Sequence, residues 1–182
     1  TYAKTIYHRP KMNMFIAGRR FWQRKDITLS FVCKQKFEDE AVETLMFLTV
    51  KEDMDLDYIS KLILGDIKKA RTQVSNDLDK TMEFVGNLPR FVLEILFWFI
   101  KKFEYYGCMP EALSKGDPNY STCILSNLGS IKADSFYHHL SDYGTCSMVA
   151  TIGTLEHDEE NDTYRVPMTI TLDERLADGF YF

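Results

Sequence analysis

Residues 124–130 read Ile-Leu-Ser-Asn-Leu-Gly-Ser, an apolar run that ends in a hydroxyl, an amide and a glycine. This order predicts a strand that runs into a tight turn. A hydroxyl at the end of a strand can donate a hydrogen bond into a cleft, so Ser126 is a candidate site residue. Ser126 and Asn127 are also common turn formers, and the segment alone leaves both interpretations open.

A second informative segment, residues 173–179, reads Asp-Glu-Arg-Leu-Ala-Asp-Gly. It follows a predicted strand over 164–173, in which apolar side chains alternate with threonines. Polar residues that follow a strand can line a site. A local ion pair among Asp173, Arg175 and Asp178 would account for the same segment without any catalytic role.

Elsewhere the hydrophobic pattern changes between strand and helix periods. The predicted strands lie at 20–24, 27–33, 42–50, 120–126 and 144–153. The predicted helices lie at 2–9, 56–71, 77–85 and 88–106, and Asp53 or Asp55 is expected to cap the second of them. The acidic run 156–162 predicts a hairpin turn in water. Antiparallel strands mixed with helical pairs indicate an α/β sandwich within one domain.

The helix predicted over 88–106 contains an apolar and aromatic run, Phe91–Ile100. A membrane span needs about 20 apolar residues, and this run is about half that length and contains Glu94. It is therefore expected to be a core or subunit-interface helix. The alternative is a helix that lies on a membrane surface, with Lys101 and Lys102 at its edge.

Charge and cysteine usage exclude several classes of partner. The formal net charge is −5, so a basic surface for nucleic acid is not expected. The basic cluster near residues 19–25 is interpreted as a solvated strand edge, and the alternative is a phosphate-binding site. No metal site or disulfide is expected, because no two cysteines form a CxxC pair and the adjacent His138 and His139 lie in a predicted loop. Buried thiols in a reducing cytoplasm are expected instead, at Cys33, Cys123 and Cys146.

The two informative segments together resemble the acyltransferase catalytic domain of 2-oxoacid dehydrogenase complexes and chloramphenicol acetyltransferase. The resemblance rests on the Ser-Asn-Leu-Gly turn, on Phe136 after it, on the apolar strand that ends at Gly153, and on residues 173–179. In the family the last motif reads Asp-His-Arg-x-x-Asp-Gly. The match covers roughly residues 120–182 and is weaker over 1–50. The whole chain is similar to stand-alone bacterial proteins of this superfamily that lack lipoyl domains.

The resemblance implies a chloramphenicol-acetyltransferase-like two-layer sandwich, with a mixed sheet and helices on one face. Residues 1–182 would then form a single acyltransferase-like domain that is truncated at both ends. The family also implies a homotrimer, with each site shared between neighbouring subunits. The implied partners are a small-molecule acyl donor and acceptor, namely coenzyme A or acyl-coenzyme A and a thiol such as a lipoyl group.

The family mechanism assigns roles to matching positions of this chain. A histidine takes the proton of a thiol, the thiolate attacks a thioester carbonyl, and a serine hydroxyl stabilises the oxyanion. Ser126 matches that serine. Asp178 matches a structural aspartate, and Gly179 matches the glycine of the turn. Glu174 stands where the family has its catalytic histidine.

Glu174 is the main departure from the family. A free glutamate has a pKa of about 4.3 and an imidazole one of about 6.5, so the carboxylate is the poorer base unless burial raises its pKa. Its negative charge also opposes a developing oxyanion. The sequence therefore predicts an acyltransferase-type domain of weak or absent activity. The alternative is a non-catalytic binding or assembly module on the same fold, and a membrane-surface protein is a third possibility.

Overall fold

The computed structural model describes residues 2–34, 43–51, 53–72 and 85–182. Along the chain lie α1 (Tyr2–His8), β1 (Met14–Ala17), β2 (Arg20–Gln23), β3 (Ile27–Lys34), β4 (Glu43–Val50), α2 (Leu56–Thr72), α3 (Arg90–Tyr106), α4 (Glu111–Ser114), β5 (Cys123–Asn127), β6 (Met148–Ile152), β7 (Glu156–Asp158), β8 (Thr163–Arg165) and β9 (Met168–Leu172). Three short 3-10 helices lie between these elements, at Pro10–Asn13, Pro118–Tyr120 and Gly129–Ile131.

A five-stranded mixed sheet in the order β4-β3-β5-β6-β9 organises the described part of the chain. The two central pairings, β3 with β5 and β5 with β6, are parallel. The two edge pairings, β3 with β4 and β6 with β9, are antiparallel. Two separate hairpins, β1-β2 and β7-β8, lie outside this sheet. The predicted mixed α/β architecture is confirmed.

The predicted strand over 164–173 is wrong in its extent, because it is two strands. β8 pairs with β7 in the acidic hairpin, whereas β9 pairs with β6 in the main sheet. Val166 and Pro167 separate them. Pro167 has no N–H to donate to a ladder, and its carbonyl instead accepts a hydrogen bond from the Gly153 N–H at 2.9 Å. The chain can therefore leave one sheet and enter the other at this point.

The hydrophobic core lies on one face of the main sheet, against α1 and α2. Its buried members are Ile6, Met12, Ile27, Leu29, Leu48, Val50, Cys123, Leu125, Met148 and Ala150. On α2, Ile59, Leu62 and Ile63 pack against this cluster, as the predicted helical stripe requires. The Asp55 carboxylate caps α2 by accepting the Tyr58 N–H at 2.7 Å. Of the two predicted caps, Asp55 is thus the one that forms.

Helix α3 packs against the β1-β2 hairpin rather than on the main sheet. A Cβ at Gly18 would lie 1.8 Å from the Tyr105 carbonyl oxygen, so only glycine permits this close approach. Gly107 ends the helix in the left-handed conformation, with φ 66°. Only Ile100 of α3 is buried, so α3 is not a core helix of the single chain. Within the described ranges, no helix is long and apolar enough to span a bilayer.

Three sequence predictions need a further remark. The helix predicted over 77–85 falls almost entirely outside the described residues, and the side chain of Cys33 also lies outside them. Cys123 is buried as predicted, whereas Cys146 is only half-buried. The acidic hairpin is confirmed, since β7 and β8 flank the turn.

Candidate functional site

Ser126 lies one residue before the end of β5, in the middle of the main sheet. Its β5 neighbours Cys123 and Leu125 point into the core, so the alternation of a strand places Ser126 on the opposite face. The side chain is half-buried. Among the described residues, no group hydrogen-bonds the Ser126 hydroxyl. The hydroxyl is therefore free to donate to a ligand on the face that α1 and α2 do not cover.

A row of hydroxyl side chains crosses this face beside Ser126. The strand register places Ser126 opposite Thr151 on β6, and Thr151 opposite Thr169 on β9. Both threonine hydroxyls donate to the Phe136 carbonyl oxygen, at 2.7 and 2.8 Å. The segment after the Ser-Asn-Leu-Gly turn is thus held against the polar face by its backbone. Neither threonine was predicted as a site residue, although the alternation of Thr169 with apolar residues in β9 was visible in the sequence.

Two glycines hold the turn after Ser126 close to the end of β6. A Cβ at Gly129 would lie 2.5 Å from the Gly153 carbonyl oxygen, and a Cβ at Gly153 would lie 2.6 Å from the Ser135 nitrogen. The Leu128 N–H donates to the Ile152 carbonyl oxygen at 2.8 Å. Gly129 and Gly153 therefore have a steric reason to be glycine, because a side chain at either position would separate these backbones.

The turn that carries Glu174 is held by an ion pair. The Arg175 guanidinium donates to both oxygens of the buried Asp173 carboxylate, at 2.8 and 2.6 Å, and the Arg175 N–H donates at 3.1 Å. These hydrogen bonds lower the pKa of Asp173, and they raise the pKa of Arg175. The local ion pair that the sequence left open is confirmed for Asp173 and Arg175. Asp178 is not part of it.

Glu174, Asp178 and Gly179 of this segment are exposed, whereas Leu176 and Ala177 are buried. In the described part of the chain, the Glu174 carboxylate has no hydrogen-bond or ion-pair partner. Asp178 accepts the Tyr181 N–H at 3.0 Å, so its carboxylate holds the turn that follows it. Gly179 has ordinary backbone angles, and a Cβ there would meet no described atom within 4 Å. The turn in this chain thus does not require a glycine at Gly179.

The structure places Ser126 and Glu174 at opposite ends of the sheet. Ser126 is in register with Thr151 and Thr169, across two strand spacings, or roughly 10 Å. Glu174 lies beyond the end of β9 at Leu172, which is roughly 10 Å along the strand from Thr169, and the turn adds to this distance. One chain therefore keeps the two candidate groups on the order of 20 Å apart, and it cannot bring both to one substrate atom.

Arg24 departs from the interpretation of residues 19–25 as a solvated strand edge, whereas Arg19, Arg20 and Lys25 are exposed as predicted. The Arg24 guanidinium donates to the Tyr120 carbonyl oxygen at 2.8 Å and to the Thr145 carbonyl oxygen at 2.5 Å. It also lies over the Phe15 ring, 4.6 Å from the ring centroid. Burial lowers the pKa of Arg24 to about 10. Arg24 thus joins the β1-β2 hairpin to the loops that lead into β5 and β6.

In the part of the chain that the structure describes, neither the histidines nor the larger cavities provide another candidate functional site. Among the described residues, no group of three or more His, Cys, Asp or Glu side chains could hold a metal ion. His138 and His139 each contact a backbone carbonyl through Nδ1. Cavities of about 750 and 630 Å³ lie beside α1-α2 and α3, and neither is lined by Ser126 or Glu174.

Solved structures share the fold of this chain, whereas the comparisons by sequence find no match. No protein-family profile matches the chain, and no curated protein matches it in sequence. Among solved structures it is similar to a probable dihydrolipoamide acetyltransferase from Listeria monocytogenes, with 13% identity, 98% of this chain covered and a TM-score of 0.56. It is also similar to chloramphenicol acetyltransferase, with 13% identity, 98% of this chain covered and a TM-score of 0.54.

A third similar structure is the dihydrolipoamide acetyltransferase of Azotobacter vinelandii, with 12% identity, 99% of this chain covered and a TM-score of 0.57. The Azotobacter vinelandii structure comes from an investigation of the roles of a serine, a histidine and an asparagine in the catalytic mechanism of that enzyme. The chain spans about three fifths of the two dihydrolipoamide acetyltransferases, at 60% and 59%, and 67% of chloramphenicol acetyltransferase. The chain thus has the fold that the sequence resemblance predicted.

Proposed function

We propose that this chain is an acyltransferase-type domain that transfers an acyl group between a coenzyme A thioester and a thiol or similar acceptor. The observation that carries the proposal is the Ser126 hydroxyl, which has no hydrogen-bond partner among the described residues and lies near the end of a central strand. The fold of this chain is shared with proteins named as acetyltransferases. A hydroxyl in this position can donate to an oxyanion without losing an internal hydrogen bond.

The site in this proposal is shared between neighbouring copies. Because one chain keeps Ser126 and Glu174 on the order of 20 Å apart, the group that accepts the proton comes from a second copy. A closed three-fold arrangement would place the Glu174 end of each sheet against the Ser126 end of the next. The homotrimer predicted from the family would satisfy this requirement.

Each step of the transfer has an assigned group. The acceptor thiol loses its proton to the base at position 174, and the thiolate sulfur then bonds to the thioester carbonyl carbon. Ser126 donates a hydrogen bond to the oxygen that becomes negative. The bond to the coenzyme A sulfur breaks, and that sulfur takes the proton back. The ion pair of Asp173 and Arg175 holds the turn that carries the base.

Glu174 makes this transfer slow in the natural protein. Loss of a positioned general base typically lowers a rate by 10²–10⁴-fold. A carboxylate acts as a base near neutral pH only in surroundings that disfavour its charge, and Glu174 is exposed in the single chain. The same observation favours a second candidate function, a non-catalytic binding or assembly module on this fold.

The experiment measures acetyl-coenzyme A-dependent acetylation of a soluble dithiol by the natural protein and its variants. Glu174→His is expected to raise the rate at least tenfold, and Ser126→Ala added to it is expected to lower the rate again. Glu159→His, on the exposed acidic hairpin, is the matched control and should change nothing.

Two outcomes would contradict this proposal. Rapid transfer by the natural protein that Glu174→Gln abolishes would show that Glu174 is itself an effective base. A Glu174→His variant that assembles normally and gains no activity would favour the non-catalytic module.

A further inference from the structure

The outer side of α3 carries a stripe of four apolar side chains and Lys102, which the rest of the described chain leaves exposed. Phe91, Ile95, Trp98, Lys102 and Tyr105 follow one another at spacings of four, three, four and three residues. The four apolar members are 65%, 55%, 56% and 50% exposed, respectively. This spacing is that of the a and d positions of a heptad repeat, which form the seam between two paired helices.

The charges beside the stripe distinguish between parallel and antiparallel pairing. Glu94 and Lys101 each precede a seam residue, which places them at successive g positions. In a parallel pair they would face the partner's e positions, which are occupied here by Phe99 and Tyr106. In an antiparallel pair g positions face each other, so Glu94 of each copy meets Lys101 of the other. Only the antiparallel arrangement brings opposite charges together, and it forms two such pairs, one from the Glu94 of each copy.

The existing contact of Glu94 does not compete strongly with this pairing. Its carboxylate accepts a hydrogen bond from Arg90 Nε at 3.1 Å, and both side chains are largely exposed. Exposed i,i+4 pairs of this kind contribute little to stability. A groove of about 630 Å³ separates α3 from the loop at Asp142 and Tyr143, and Glu94 and Lys101 border it on the helix side. A second helix can therefore approach along the side that carries both charges.

The apolar area is on the scale that an interface between two copies needs. A fully buried aromatic side chain removes about 150–250 Å² from water, and Phe91, Trp98, Phe99 and Tyr105 are each about half or more exposed. Together with Ile95 they can bury several hundred Å² per copy, against the roughly 800 Å² per partner of a standard interface. The formal net charge of −5 argues against an anionic bilayer as the occupant.

We propose that α3 packs antiparallel against α3 of a second copy of this chain, about a two-fold axis, with Glu94 of each copy paired to Lys101 of the other. This contact is separate from the one that would join Ser126 to Glu174, and it does not depend on acyl transfer. Its loss leaves only the smaller assembly that the other contacts hold together, so the assembled mass falls.

The test is charge reversal with rescue, followed by sedimentation at low ionic strength. Glu94→Lys and Lys101→Glu should each raise the dissociation constant of the two-fold contact at least tenfold and so lower the assembled mass. The double variant carrying both reversals should restore the mass. Lys61→Glu, on an exposed position of α2, is the control and should leave the mass unchanged. Circular dichroism checks that each variant is folded.

Any of three results would overturn the proposal. The first is an assembly that neither single reversal alters. The second is a double variant that remains as weakly assembled as the singles, because that would mean that Glu94 and Lys101 do not face each other. The third is a protein that does not self-associate through α3 and instead floats with phosphatidylcholine–phosphatidylserine vesicles, which would assign the stripe to a membrane surface.

Discussion

Replacing Gly129 by alanine tests whether the turn after Ser126 is held by backbone packing. The new Cβ would lie 2.5 Å from the Gly153 carbonyl oxygen and 3.1 Å from the Gly153 carbonyl carbon. Both are backbone atoms, so the turn must move away from β6. That movement strains or breaks the hydrogen bond from the Leu128 N–H to the Ile152 carbonyl oxygen. Overpacking of this kind typically costs about 1–3 kcal/mol, and we expect a loss of unfolding free energy in that range.

Gly65 provides the matched control for this substitution. It lies inside α2, and a Cβ there would meet no described atom within 4 Å outside its own helix. Alanine is a better helix former than glycine, so Gly65→Ala should stabilise the chain by about 0.5–1 kcal/mol. The same substitution is therefore expected to lower the unfolding free energy at Gly129 and to raise it at Gly65. A general effect of replacing glycine by alanine cannot produce opposite results.

The assay is denaturant unfolding of both variants and the natural chain, with the free energy taken from the midpoint and slope. A Gly129→Ala variant as stable as the natural chain, or stabilised like Gly65→Ala, would refute the packing argument. The close approach of the turn to β6 would then not position Ser126.

Two further predictions concern the turn of Glu174 and the start of α2. Arg175 lowers the pKa of Asp173 by hydrogen bonding, so the folded chain binds this proton less tightly than the unfolded chain does. The stabilisation from the ion pair is present above the unfolded pKa of Asp173, about 4, and is lost as the pH falls through the lower folded pKa. Asp173→Asn should therefore flatten the dependence of the unfolding free energy on pH in this range, as measured by denaturant titration. An unaltered pH dependence would contradict the pairing. Asp55→Ala should lower the unfolding free energy by about 0.5–2 kcal/mol, because it removes the N-cap of α2. Asp53→Ala removes no described hydrogen bond and should lower it much less. Equal losses for the two variants would reject Asp55 as the N-cap.

Local patterns predicted those elements whose cause is itself local. The alternation over 27–33 and the stripe of α2 reflect strand and helix periods, and both are found. The end of α1 at His8, before Pro10, follows from the restriction that proline places on the preceding residue. The Ser-Asn-Leu-Gly turn was visible because turn-forming residues directly follow an apolar strand, although the contact that requires a glycine at Gly129 is with the distant Gly153. Such signals lie within a few neighbouring residues.

Features that depend on distant pairing were not predictable in the same way. The burial of Arg24 depends on carbonyls of Tyr120 and Thr145, about a hundred residues away along the chain. The division of the strand at Pro167 depends on which partner each half meets. The separation of Ser126 from Glu174 follows from β9 being antiparallel to β6, and no local pattern contains that direction.

The central claim, a site shared between copies, is tested most directly by mixing two inactive or weak subunits. One subunit carries Glu174→His and Ser126→Ala, so it has a suitable base and no oxyanion donor. The other is the natural chain, which has the donor and a poor base. After joint unfolding and reassembly, sites that combine His at position 174 of one copy with Ser126 of the other should transfer acetyl groups at least tenfold faster than either parent assembly. A mixture no faster than the sum of its parents, with mixed assembly verified by mass, would contradict the shared site.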